Sequence, residues 1–437
     1  MYDNNWKDDL EDVLRTQYIP ETFKNIKLLK DVTANVFKRI VNQICTVYKE
    51  PAKRELMNTS GNIVESEIWD KWKKDTMIDV VMQEAHRLSK ADTVCYLHIR
   101  TSTKKDKIYL HVYTPDIVHV ETDPEDKVTP ISISYLFTYG EKQYWVYYSK
   151  DNRYYLDASG SMLEKDPRTK EVYEKENIYG IIPIVPFHAK IPVVKYYNEH
   201  WIESAYESTL NIGVVKTQSN YLIKYTSHKQ IVLTGPVSEA VKKNIIDPVY
   251  PLVLDQDGSA TTLDLTTGSL EANTKYIKEL TVSIAGEFGI SAESFAITGN
   301  VQSGFALKIK NTALEEIRIA DIPISGMVEA NIFTTFRIIN NIDFPEQKIP
   351  EELVLRFNPG EIKFPEPWPE EQKRWEFRFK NGTANQIDFM ISEDPQLSRE
   401  DAEKKLVAIR EETLRIKPTV SLVDQILGNQ NQTEGEI

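Results

Sequence analysis

The stretch from Leu270 to Asn340 constrains the rest of the chain most. Tyr276, Leu280, Ile284 and Phe288 recur every fourth residue, which sets them on one face of a helix running from Leu270 to Phe288. Gly289 stands where a glycine ends a helix. Residues 290–304 are rich in small, flexible and hydroxyl side chains and read as an exposed loop. Periodicity resumes at Phe305, and Leu307, Leu314, Ile317, Ile322, Met327, Ile332, Phe333 and Phe336 predict a long helix to Asn340, kinked near Pro323 and Gly326.

Around this frame the chain changes character several times. Phe23, Ile26, Leu29, Phe37, Ile40, Val41 and Ile44 predict one helix from Glu21 to Glu50, stopped by Pro51. Trp69, Trp72, Met77, Val80, Val81 and Leu88 predict a second from Ile68 to Ala91. Residues 93–100, 108–113, 117–121, 131–139, 144–149 and 153–157 are β-branched and aromatic, and turn residues such as Pro115, Pro124 and Gly140 separate them. Helices first and an antiparallel sheet after them make an α+β chain. The segment 179–187 reads as an edge strand limited by Pro183 and Pro186. A helix follows from about Trp201 to Tyr225, then a small mixed region with a strand at 231–233, a short helix at 238–244 and a hairpin of 251–254 with 261–265 turning at Asp257-Gly258. Another strand is expected at 353–358, with helices at 370–381 and 400–416, the last carrying Ala402, Leu406, Ile409 and Leu414 on one side.

The 437 residues suffice for two to four domains, and 41% hydrophobic with 27% charged residues describes a folded chain. A formal net charge of -13 argues against a surface that grips nucleic acid through its phosphates, although an acidic channel could let DNA slide. Cys45 and Cys95 sit in apolar settings and read as buried thiols. The N-terminal residues lack a signal-peptide pattern, and no apolar run reaches the roughly 18 residues of a membrane span. Phosphate-loop, His-Glu-x-x-His, Gly-x-Ser-x-Gly and Cys-x-x-Cys motifs are all missing, so the reading assigns no catalytic residue, no metal and no cofactor. His98, His111 and His119 fall in the sheet, where an imidazole more often completes packing than binds metal. Asp255, Asp257 and Asp264 lack the further ligands of a calcium loop and read as a solvated turn.

The order Glu287-Phe288-Gly289-Ile290, loop, then Ser303-Gly304-Phe305-Ala306-Leu307-Lys308-Ile309-Lys310 resembles the portal proteins of tailed bacteriophages, in the branch infecting Gram-positive bacteria. Val112-Tyr113-Thr114-Pro115-Asp116-Ile117-Val118 and Gly180-Ile181-Ile182-Pro183-Ile184-Val185-Pro186-Phe187 hold the places of two wing segments of that family. The resemblance implies an arm at 1–20, a wing at 21–198, a stem helix at 199–227, a clip at 228–267, a second stem helix at 268–289, a tunnel loop at 290–304, the kinked wing helix at 305–340, more wing at 341–380, and a crown with a tail at 381–437. It implies no enzyme. The expected assembly is a ring, twelvefold in the family, at one capsid vertex of the virion, assembled in the host cytoplasm without a membrane. The expected partners are other copies of the chain, double-stranded DNA in the channel, terminase, head-completion or adaptor proteins, and the major capsid and scaffolding proteins. Ser291, Glu293, Ser294, Thr298, Asn300, Gln302 and Ser303, with Lys308 and Lys310 beyond them, would face DNA, and Asp255, Asp257 and Asp264 would lie on the clip docking surface. Stem residues Lys216, Lys224, Lys275 and Lys278 are equally compatible with a solvated helix face. A metal-dependent nucleic-acid-processing enzyme and a cytoplasmic adaptor that forms no ring are the alternatives.

Overall fold

The computed structural model describes residues 6–102, 106–226, 230–234, 259–263, 268–291, 312–360, 368–394 and 397–416. They fall into two compact units, one within 6–360 and one within 368–416.

The first unit opens with α1 (Trp6–Gln17), α2 (Pro20–Lys27) and α3 (Val36–Ile44). Residues 6–17, within the arm expected at 1–20, form a helix whose Trp6, Leu10 and Leu14 are buried against Val214. The single helix expected over 21–50 is broken at residues 28–35. Asn35 restarts the chain by accepting the Lys38 N–H at 2.8 Å, an N-cap that apolar spacing alone could not reveal. The stretch 68–91 likewise divides into α4 (Glu67–Thr76) and α5 (Ile78–Asp92), with Met77 between them in the left-handed region at φ 49°.

The described strands form four sheets. β1 (Lys53–Met57) pairs with the short β2 (Ile63–Val64) and with the distant β12 (Val354–Asn358), all antiparallel. β3 (Val94–Thr101) lies between β4 (Ile108–Tyr113) and β9 (Ile184–His188), which leaves β9 on the edge as its prolines require. β5 (Val118–Thr122), β6 (Pro130–Tyr139), β7 (Lys142–Ser149) and β8 (Arg153–Asp157) make a four-stranded meander. Gly140, at φ 64°, is the first residue of the two-residue loop between β6 and β7, the place where a tight hairpin demands positive φ. β3 is buried on both faces. Its Cys95, Leu97 and Ile99 face the helices, and Val94 and Tyr96 face the core shared with the meander.

Two long helices leave and re-enter this body, α6 (Glu203–Thr226) and α7 (Gly268–Glu287), and between them β10 (Gln230–Thr234) pairs antiparallel with β11 (Ser259–Leu263). The second strand of the hairpin expected between 251–254 and 261–265 pairs with the 231–233 region. The expected helix at 238–244 and the strand at 251–254 lie outside the described residues. α8 (Thr312–Asp343) then runs as one unbroken α-helix of 32 residues. Pro323 lies inside it and removes a single main-chain bond without ending it, so the long helix expected to kink near Pro323 and Gly326 is continuous in its hydrogen bonding there. The C-terminal half of α8 fills the core beneath α4. Trp72 stacks on Phe336 at 4.3 Å, Trp69 stacks on Trp72 at 5.2 Å, and Phe333 meets Trp69 edge-on at 5.1 Å.

The second unit holds α9 (Trp368–Lys380), α10 (Gln386–Glu393) and α11 (Arg399–Ile416). Trp375 packs edge-on against Phe389 at 5.1 Å, and Ala402 is fully buried. The stripe expected on α11 is only partly used, since Ile409 stays 45% exposed.

Candidate functional site

Of the residues expected to face DNA, Ser291 is described, partly buried, just past the end of α7. Glu293, Ser294, Thr298, Asn300, Gln302, Ser303, Lys308 and Lys310 lie outside the described residues, as do Asp255, Asp257 and Asp264. What the structure does define is how the loop is anchored. Gly289 has φ 67°, and a Cβ placed on it would lie 2.7 Å from the Ala313 Cβ in the first turn of α8. The chain therefore leaves at Ser291 and returns at Thr312 next to its own departure point. Phe288 and Ile290 are buried in a cluster that Leu314 and Ile317 of α8 join, so apolar packing pins both ends. The glycine that reads as a helix stop is required twice, for its φ and for this close approach.

α6 and α7 form an antiparallel pair. Ser204 Oγ donates to Glu287 Oε1 at 2.9 Å near one end, and Asn273 Nδ2 donates to Ser219 Oγ at 3.0 Å toward the other. With 24 residues, α6 extends about 36 Å at the helical rise. Lys216 Nζ donates to Thr33 Oγ1 at 3.0 Å and lies 3.9 Å from Asp31, so that lysine is tied to the body. Lys275 pairs one turn along with Glu279 at 3.7 Å, and Lys278 is exposed. On the predicted face of α7, Ile284 and Phe288 are buried but Tyr276 is 48% exposed, because α6 covers only part of that stripe.

A third feature was not anticipated. Asp321, Ser325 and Glu329, each four residues apart, form a buried polar stripe along α8. Lys90 of α5 donates to Asp321 Oδ1 at 2.6 Å and to the Ala189 carbonyl at 3.1 Å, and its ammonium lies 5.4 Å from the centre of the Trp201 ring. His86 Nε2 meets the other carboxylate oxygen at 3.3 Å; a carboxylate only accepts, so Nε2 carries the proton. Burial lowers the His86 pKa against the pull of Asp321, which keeps the ring neutral. Eight residues on, Glu329 accepts both Arg54 Nε at 2.9 Å and Nη2 at 2.8 Å, and Arg54 Nη1 reaches Asp79 at 2.6 Å. Burial pulls the Arg54 pKa down, but Glu329 and Asp79 outweigh it and the net direction is up. The signal available in the sequence was the spacing of four from Asp321 through Ser325 to Glu329. The partners, 231 and 275 residues away, were beyond its reach.

No group of three or more metal-ligating side chains occurs among the described residues, and none of the described helices is long and apolar enough to cross a membrane. No protein-family model and no curated protein matches the chain. Among solved structures, a chain in the neck of an empty gene transfer agent particle, computed with sixfold symmetry, aligns with TM-score 0.49 and 13% identity over 84% of this chain and 92% of that one. A chain in the virion of a native gene transfer agent particle aligns with TM-score 0.48 and 12% identity, covering 87% and 97%. A chain in the native neck, computed with twelvefold symmetry, gives 0.46 and 13%, covering 82% and 88%.

Proposed function

We propose that the chain is a portal protein: a subunit of a ring at one capsid vertex that conducts double-stranded DNA during packaging and ejection. The observation that carries this reading is the antiparallel α6/α7 pair with a β-ribbon between its helices, returning through a pinned loop into α8. A stem that projects from a mixed helix-and-sheet body and comes back at one point offers each subunit a loop held at a fixed place. Repeated around a closed rotation axis, such loops would line a channel. The polar residues Ser291, Glu293, Ser294, Thr298, Asn300, Gln302 and Ser303, with Lys308 and Lys310, suit many weak contacts with a sliding duplex. In this reading the region between α6 and α7, with Asp255, Asp257 and Asp264, meets terminase and head-completion proteins, and the outer body meets capsid and scaffolding proteins.

Light scattering of the purified protein, with negative-stain images of the same sample, tests the reading. A ring of about a dozen subunits with a central hole is the expected result. A uniform monomer or dimer at high concentration, unchanged when capsid and scaffolding proteins are added, would overturn it. Bulky or acidic substitutions at Ser294 or Asn300 are expected to impair packaging with ring assembly intact; loss of the ring would put the loop in subunit contacts instead.

A further inference from the structure

We infer that the seam between the β4-β3-β9 sheet and the four-stranded meander binds a small oxyanion of the phosphate class. His98 and Arg100 stand two residues apart on β3 and so share its face toward the meander, and His111 is the direct cross-strand partner of His98. Arg153 comes from β8 and Arg168 from the segment after it. Tyr135, Tyr148 and Tyr155 wall the seam, with the His98 ring 5.1 Å from Tyr135 and 5.7 Å from Tyr148.

The donors in this seam outnumber their acceptors. His98 has no exposed surface; its Nδ1 lies 3.3 Å from the Tyr113 hydroxyl, and its Nε2 has no partner. Arg100 Nε, Arg153 Nε and His111 Nε2 are also buried without a partner. Burial first, then the charges of Arg100, His111, Arg153 and Arg168, lower the His98 pKa, so that ring is neutral. When its Nδ1 accepts from Tyr113, the proton sits on Nε2 with nothing to receive it.

The charges are equally one-sided. Asp166 is already committed, 3.4 Å from Arg168 Nε and accepting from the Tyr155 hydroxyl at 2.7 Å. Asp343 borders the seam through Tyr179, whose hydroxyl donates to it at 2.7 Å, and it also accepts from Thr101. Three guanidinium groups against these two engaged carboxylates leave the seam cationic among the described residues. Buried N–H groups are almost always satisfied, and a guanidinium fork matches the oxygens of a tetrahedral oxyanion. A single phosphate offers enough lone pairs for Arg100, Arg153 and the two imidazoles together. This inference is independent of the proposed portal role and can fail without touching it.

The test is titration of the full chain with inorganic phosphate, read by thermal melting and by broadening of the free phosphate phosphorus resonance, against sodium chloride at matched ionic strength and pH. The melting temperature is expected to rise with phosphate and not with chloride. Arg100→Gln and Arg153→Gln should each weaken binding about tenfold or more, the weight of one charge-assisted bond. Circular dichroism first establishes that each variant is folded. Should Arg153→Gln fail to fold, Arg100→Gln and Arg100→Lys carry the test. Phosphate that stabilises no more than chloride, or a folded Arg100→Gln that binds as tightly as the parent, would overturn the inference.

Discussion

At the residue scale, the buried pairs on α8 make the sharpest predictions. Glu329→Gln leaves the buried Arg54 guanidinium without its bidentate partner and should cost about 3–5 kcal/mol in urea unfolding. Arg54→Met combined with Glu329→Leu should recover most of that loss, since an apolar pair of similar volume needs no desolvation. A double variant as unstable as the single one would show that the pair does more than satisfy itself. His188 tests pH dependence. Burial pushes its pKa down from 6.5 to about 4, so the unfolded chain binds a proton that the folded chain refuses. Its contribution is complete above pH 6.5 and is lost as pH falls toward 4, on the order of 3 kcal/mol across that window. His188→Gln should flatten that part of the stability–pH curve, and an unchanged slope would assign the acid sensitivity to the carboxylates. Gly289→Ala should destabilise through both φ 67° and the approach to Ala313. Adding Ala313→Gly should recover only the steric part.

Among the elements, packing overrides local pattern at identifiable points. α1 crosses α6 at Gly213, where a Cβ would come 3.0 Å from Leu10 and 3.3 Å from Trp6. Gly213→Val should therefore push α1 away, seen as faster hydrogen exchange over residues 6–17 with the protection of α7 retained. Uniform loss of protection would mean that α1, α6 and α7 unfold together. The residues that divide the expected helices were legible in type but not in role. Asn35 caps α3, and Met77, 66% exposed, turns the corner between α4 and α5 in a conformation that a long side chain rarely adopts. At Pro323 the expected long helix runs on, and α8 is held on both sides of it, by Asp321 with Lys90 and by Glu329 with Arg54.

For the whole molecule, the exposed apolar residues of α6 and α7 carry the assembly prediction. Ile223, Tyr276 and Val282 are 49%, 48% and 40% exposed on α6 and α7. In a ring these faces would meet the next subunit. Ile223→Asp or Val282→Asp should leave folding of the single chain within about 0.5 kcal/mol of the parent while abolishing the ring in sedimentation velocity. Rings formed by both variants would exclude this surface from the contact.

The sequence by itself determined the α+β class, the place of the strands of the meander, the helices α6 and α7 and the long helix after them. These rest on periodicity and turn chemistry, which act over a few residues and are written locally. Only the tertiary structure decided that β1 joins β12 across some 300 residues, that the described strands divide into four sheets, and that Gly289 meets Ala313. It also decided which charges on α8 are buried and which donors in the sheet seam lack acceptors. Those outcomes depend on which distant side chains share a low-dielectric interior, and a local pattern does not carry that information.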